Sequence, residues 1–161
     1  MAKAIAKGDG HKVVATNRRA LFNYAVEERF EAGLVLQGSE VKALRDGTVN
    51  LGDSYAWPRR EELFLVNCRI GPYAAAAQLA PDPTRPRKLL LHRREIEELL
   101  GKVAEKGYSL IPLEIYFKNG LAKVQLALCR GKTHEDRRDD IKTRESKREV
   151  DRAMKMRRKD R

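Results

Sequence analysis

The chain has 161 residues, 42% of them hydrophobic, and its 34 Lys and Arg against 23 Asp and Glu give a formal charge of +11. That length allows one domain of ordinary size, and no apolar run approaches the roughly 18 residues needed to span a membrane. The charge is uneven: Met1–Ala20 carry +4, Arg130–Arg161 carry +6, and the stretch between them carries only +1. A near-neutral body with basic ends suits a polyanion, because neutralising phosphates releases counterions and gives salt-sensitive affinity.

Met1–Lys7 contain neither a sustained apolar stretch nor a cleavage-like site, so no secretory signal is expected and the expected location is the cytoplasm. Residues 1–16 read as a flexible basic arm. Asn17-Arg18-Arg19 then join that arm to the body, close to Phe22 and Tyr24. A cation beside an aromatic ring can clamp a phosphate and stack a base; an exposed arm next to two core aromatics is the equal alternative. Tyr24–Val26 and Leu34–Leu36 read as short strands. Between them Glu31-Ala32-Gly33 reads as a turn whose carboxylate either accepts from base amino groups or orients nearby cations.

Ser39 is expected to cap a short helix that sends Val41 and Leu44 inward and ends at Gly47, leaving Lys42 and Arg45 together in solvent. A hairpin is expected from Asp53–Trp57 through Arg59–Glu62 into Leu63–Val66. Residues 71–88 form a proline-rich loop ending in the basic cluster Arg85-Pro86-Arg87-Lys88. Ile96, Leu99, Leu100 and Val103 share one helical stripe that stops near Gly107. The clearest signal is a second hairpin. Ile111, Leu113, Ile115 and Phe117 alternate, Asn119-Gly120 turns, and Ala122, Val124, Leu126 and Leu128 return, with Pro112 marking an edge start. Short antiparallel strands with inserted helices point to a mainly β fold, a small OB-like barrel with about three α-helices over residues 17–130. A sandwich is the runner-up.

Catalysis finds no support. Arg130-Gly131-Lys132-Thr133 ends like a phosphate-binding loop, but the first glycine of that motif is replaced by Leu126, so no backbone cradle exists. His11, His92 and His134 have neither metal-ligand nor triad spacing, and no metal or cofactor is expected. Cys68 and Cys129 read as small buried thiols rather than a disulfide. The segment 131–161 has no Gly or Pro after Gly131 and is rich in helix formers, yet Ile141, Val150, Met154 and Met156 are its only sizeable apolar residues. Such a segment cannot offset its ordering entropy alone. It is expected to be disordered when free and either to fold on a partner or to serve as a solubilising tail.

Several phrases together are more specific. Asn17-Arg18-Arg19-Ala20 and Tyr24 precede the run Phe30 to Arg45, including Gly38-Ser39-Glu40-Val41-Lys42. Asp53-Ser54-Tyr55-Ala56, Ile70-x-Pro72-Tyr73, Arg87-Lys88-Leu89-Leu90-Leu91-His92 and Gly101-Lys102-Val103 follow in order. Lys106-Gly107, Ile111-Pro112-Leu113-x-Ile115-Tyr116-Phe117, and Gly131-Lys132 followed by Asp136-Arg137-Arg138 complete the set. Over about Val14 to Met154 this pattern resembles the bacterial SmpB, or SsrA-binding protein, family. The resemblance implies an OB-fold barrel that binds the tRNA-like domain of transfer-messenger RNA (tmRNA, SsrA RNA). It also implies a basic tail that becomes helical in the empty mRNA channel of a stalled ribosome, for ribosome rescue by trans-translation.

By matching position, Asn17, Glu31, Gly33, Lys42, Lys88, Lys123 and the Gly131-Lys132 junction would face the RNA, joined by Arg18, Arg19 and Arg45. Asp136, Arg137 and Arg138, then Ile141, Lys142, Arg144, Lys147, Arg148, Arg152, Met154 and Lys155, would face the small-subunit decoding centre and the channel. The resemblance implies a monomer that is not an enzyme and reaches elongation factor Tu and alanyl-tRNA synthetase indirectly, through the RNA. Phe22-Asn23 stands where the family often has His-Asp, Thr133 replaces a usual Lys, and Cys68-Arg69 replaces a different pair. A general ribosome-associated RNA-binding or RNA-chaperone protein is the alternative that the charge allows.

Overall fold

The structure, a computed structural model of the chain, describes residues 11–71, 81–105, 107–132 and 134–159. The chain divides into two compact units, Met1–Gly131 and Lys132–Arg161. In the first unit the strands are β1 (His11–Thr16), β2 (Tyr24–Leu34), β3 (Val49–Asn50), β4 (Tyr55–Arg59), β5 (Glu62–Val66), β6 (Arg69–Ile70), β7 (Arg87–Leu90), β8 (Tyr108–Lys118) and β9 (Leu121–Gly131). Its helices are α1 (Arg18–Asn23), α2 (Gly38–Arg45) and α3 (Arg93–Ala104). The main sheet runs β1-β8-β4-β5-β7-β2-β9, and β9 pairs back onto β8, so its strands close a ring; β3 and β6 form a separate ribbon. This is the β-rich fold with inserted helices expected from the sequence.

The ring is built on the β8–β9 ribbon. Asn119 and Gly120 both take positive φ, 51° and 78°, the twist a two-residue turn needs to match right-handed strands. Inside the ring, Phe30, Ala32 and Leu34 meet Leu63, Leu65, Leu89, Ile115, Phe117, Val124, Leu126 and Leu128, while Leu44 of α2 and Leu99 of α3 join the same core. Positive φ at Arg60 and Glu61 makes the β4–β5 hairpin, as the sequence predicts.

The structure corrects several boundaries. Residues 11–16 are not a free arm: they pair antiparallel with β8, His11 opposite Lys118 and Thr16 opposite Glu114. Tyr24–Val26 and Leu34–Leu36 are not separate short strands; one strand runs Tyr24–Leu34 with a register shift between Val26 and Glu28. That bulge hides the alternation over residues 26–29. Glu31 therefore lies in a strand, not a turn. Pro112 is no edge start, because β8 begins at Tyr108 and the proline precedes a second bulge before Glu114. This bulge also flips the face. Ile111 and Leu113 pack with Ala20, Ala127 and Cys129 in a second apolar cluster, whereas Ile115 and Phe117 enter the main core. The N-cap of α2 is Gln37 rather than Ser39, with the Glu40 carboxylate accepting from the Gln37 N–H at 2.9 Å.

The second unit is the helix α4 (His134–Lys159). The segment expected to become helical on a partner is a continuous helix in the structure. It has no breaker, its Arg, Lys, Glu, Ala and Met favour helix, and acid-before-base spacings such as Asp140–Arg144 and Asp151–Lys155 support it. Lys132 adds an ion pair to Asp140 near its start. Ile141, Val150, Met154 and Met156 are exposed, so no apolar packing holds the helix together.

Candidate RNA-binding surfaces

Strand alternation gathers four expected residues on the outer face of β7, β2 and β9. Phe30, Ala32 and Leu34 point inward, so Glu31 and Gly33 belong to the outer row, and Gly33 pairs with both Leu90 and Lys123. Lys88 shares the outer row with Leu90 on β7 and pairs with Glu62, Nζ to Oε1 2.9 Å. Gly33 is buried under Leu90: a Cβ there would stand 3.1 Å from the Leu90 Cβ. The glycine lets an apolar side chain, itself half exposed, cross the strand.

Glu31 is the best-held group on this face. The fully buried Tyr116 donates its hydroxyl to Glu31 Oε2 at 2.5 Å, and Lys118 Nζ lies 3.4 Å from Oε1. The Tyr116 hydrogen bond is the main reason the Glu31 carboxyl is held below its ordinary value; burial opposes this, and Lys118 and Lys123 add to it. Burial, then the Glu31 hydrogen bond and charge, push the Tyr116 phenol well up, which keeps it a donor. The His11 ring stands edge-on to Tyr116 at 4.4 Å. One carboxylate oxygen is thus fixed while the side chain stays a third exposed and ionised, able to accept from an RNA donor. Of the two sequence readings, the structure shows Glu31 beside a cation and held by a phenol that sequence spacing did not reveal.

Arg45 and Lys42 sit exposed on α2 as expected, with the Arg45 guanidinium 5.5 Å from the centre of the Phe117 ring. Arg18, Arg19 and Gly131 lie at the other end of the ribbon, where Tyr24 pairs with Gly131 and Tyr108 with Arg130. From the Tyr116–Lys123 pair to the Tyr108–Arg130 pair is eight residues on β8, about 26 Å of strand.

Asn17 is a correction. It is buried: Nδ2 donates to the Leu51 and Pro112 carbonyls at 3.3 and 3.1 Å, while Oδ1 accepts from the Ala20 N–H at 3.2 Å. An amide so engaged caps α1 and ties it to β8, so its polar atoms are committed to the fold rather than exposed as the sequence suggested. The cluster Arg85-Pro86-Arg87-Lys88 also divides. Arg87 is fully buried and donates Nε to Glu40 Oε2 (2.6 Å), Nη1 to the Cys68 carbonyl (2.6 Å) and Nη2 to the Pro83 carbonyl (3.0 Å). Arg85 also pairs with Glu40. Burial alone would raise the Glu40 pKa, but hydrogen bonds from Arg85, the Gln37 N–H and Arg87 hold it below its ordinary value. The period-two phase with inward Leu89 is the signal that could have found Arg87.

By itself, α4 extends about 39 Å at 1.5 Å per residue. Arg137, Arg144, Arg148, Arg152 and Lys155 recur at intervals that gather on one side of a helix, with acidic residues flanking them. Among the described residues no group of three His, Cys, Asp or Glu could hold a metal ion, and no helix is long and apolar enough to cross a membrane.

The chain is similar to known proteins over most of its length. The family model described as SmpB protein matches residues 14–156. The SsrA-binding protein of Myxococcus xanthus is 61% identical over 155 residues, 96% of either chain. The chain belongs to the SmpB family. Another relative in that family, the SsrA-binding protein of Geobacillus kaustophilus, is 52% identical over 95% of this chain and 98% of its own. A solved chain described under "tmRNA-SmpB: a journey to the center of the bacterial ribosome" superposes with a TM-score of 0.64. It is 46% identical and covers 79% of this chain and 93% of that one.

Proposed function

We propose that this protein binds the tRNA-like domain of tmRNA and accompanies it to ribosomes stalled on messages without a stop codon, where α4 enters the empty mRNA channel. What carries the reading is the division of charge within a member of this family. Residues 21–129 carry a net charge of only +1 and present Glu31, Gly33, Lys88 and Lys123 on one outer face, while residues 1–20 carry +4 and the separate helical unit 132–161 carries +5. Such a face suits recognition by shape and hydrogen bonding rather than by bulk phosphate attraction. The contribution is binding. Aminoacylation, delivery and peptide transfer fall to alanyl-tRNA synthetase, elongation factor Tu and the ribosome, which sets the work in the cytoplasm.

Selectivity decides between this and a general RNA chaperone. The protein should prefer the tRNA-like domain over a duplex of equal length at matched salt, and sequencing of co-purified RNA should return tmRNA. Removing residues 132–161 should leave that preference intact. A loss of more than roughly tenfold, about 1.4 kcal/mol, would contradict the division of labour. Glu31→Ala removes a negative charge, so a merely electrostatic surface should bind RNA more tightly; weaker and less selective binding is expected instead.

A further inference from the structure

At the end of the ribbon away from Glu31, a partly open cavity of about 310 Å³ lies between α1, β4 and the start of β8. Its lining includes four aromatic rings, Tyr24, Tyr55, Trp57 and Tyr108, together with Arg19, Asn23 and the carboxylate of Asp53, which can accept from a base amino group. Neither bulk charge nor the Glu31 face accounts for it. We propose that this cleft accepts one unstacked nucleotide of RNA, its base against Trp57 and its phosphate toward Arg19. The inference rests on the reading that the protein binds RNA, but it concerns a different surface.

Trp57 is more than half exposed in the middle of a strand, an unusual place to leave the largest apolar side chain in water. It lies 6.3 Å from Tyr55 with the two rings nearly perpendicular, because residues two apart share a strand face, and more than half of its side chain stays open to solvent. Opposite, Arg130 holds Tyr108: its guanidinium carbon lies 4.3 Å from the ring centre, and Nη2 donates to the Tyr108 hydroxyl at 2.7 Å. Arg130 is in turn tied to Glu27. The margin that includes Asp53 and Ser54 is anchored through the preceding Leu51. The Leu51 carbonyl accepts from the Ser54 N–H, the Ser54 hydroxyl and the Asn17 amide at 3.1, 2.5 and 3.3 Å. Both walls are therefore set before any ligand arrives, which lowers the entropy cost of binding.

The chemistry narrows the occupant. An aliphatic ligand would use the rings but leave Arg19 and Asn23 unanswered, and a free phosphate would use only Arg19. A nucleotide uses both: rings stack on any base, and a neighbouring cation meets the backbone. The volume lies at the small end of the roughly 300–1,000 Å³ of ligand clefts, which fits one nucleotide and excludes a duplex.

Trp57 is the only tryptophan in the chain, so its emission reports directly on the cleft. The full chain should be titrated with a single-stranded adenosine pentanucleotide and with an abasic pentamer of the same charge. The first should quench Trp57 emission saturably, and the second should not. Trp57→Ala, at an exposed position that the core does not need, should weaken pentanucleotide binding measured by anisotropy about tenfold, within the range one stacked base contributes. Trp57→Phe should restore most of it. Equal binding of the abasic strand, or unchanged affinity of Trp57→Ala, would overturn the proposal. A failure of the tmRNA reading would appear separately, as lost preference for the tRNA-like domain and no response to Glu31→Ala.

Discussion

Glu40→Gln is the sharpest test of what holds the first unit together. Glu40 is 3% exposed and accepts from the Gln37 N–H, Arg85 and Arg87, and Arg87 is 0% exposed. Glutamine keeps the shape and one acceptor oxygen but removes the charge, leaving the Arg87 guanidinium buried with neutral acceptors alone, among them the Cys68 and Pro83 carbonyls. Breaking one side of a buried pair costs about 3–5 kcal/mol, because the surviving charge is desolvated without compensation. The retained acceptor places this variant near the lower end, about 3 kcal/mol. With a urea slope of about 1.5 kcal/mol per molar, the midpoint should fall by about 2 M. Urea unfolding followed by Trp57 emission measures it, and the double variant Glu40→Leu, Arg87→Met should recover much of the loss.

The acid range adds a second signature. Glu40 sits below its ordinary value of 4.5 in the folded state, so its contribution is present above about pH 4.5 and disappears as pH falls through the lower folded value. The gap between native protein and Glu40→Gln should therefore be constant near neutrality and narrow below pH 4.5. A gap under about 1 kcal/mol at pH 7, or one that widens in acid, would refute the reasoning.

Three further outcomes are expected. Asn17→Ala removes the α1 cap and two buried donors, so it should cost about 2–3 kcal/mol in thermal or urea unfolding while RNA affinity of the folded protein changes little; an unchanged midpoint with lost RNA binding would restore a contact role. Replacing Arg60-Glu61 by Asn-Gly should raise stability by about 1 kcal/mol, since φ values of 49° and 61° suit those residues far better, and a lower urea midpoint would argue against it. Met154→Pro should cost about 3 kcal/mol of helix in α4, visible as lost ellipticity at 222 nm. It should spare binding to the tRNA-like domain and impair peptide transfer to tmRNA on stalled ribosomes, and normal tagging would show that the tail works as unstructured charge.

Local chemistry was legible in the sequence because it depends on near neighbours. The Asn119-Gly120 turn, the Leu99 stripe of α3, the β4–β5 hairpin and the separation of basic ends from a neutral body all follow from spacing and composition. The family pattern was legible for the same reason, as ordered phrases along the chain. Tertiary structure decided what depends on pairing between distant segments. The bulge after Pro112 sends Ile111 and Ile115 to different cores, and β8 turns residues 11–16 from an arm into a strand. Asn17 and Arg87 look like free polar groups until distant carbonyls and Glu40 close around them. Glu31 gains its phenol only because β8 and β2 both border β9, which brings Tyr116 across 85 residues of chain. Composition sets the charge a residue carries; burial and partners decide whether that charge is offered to RNA or consumed in holding the fold.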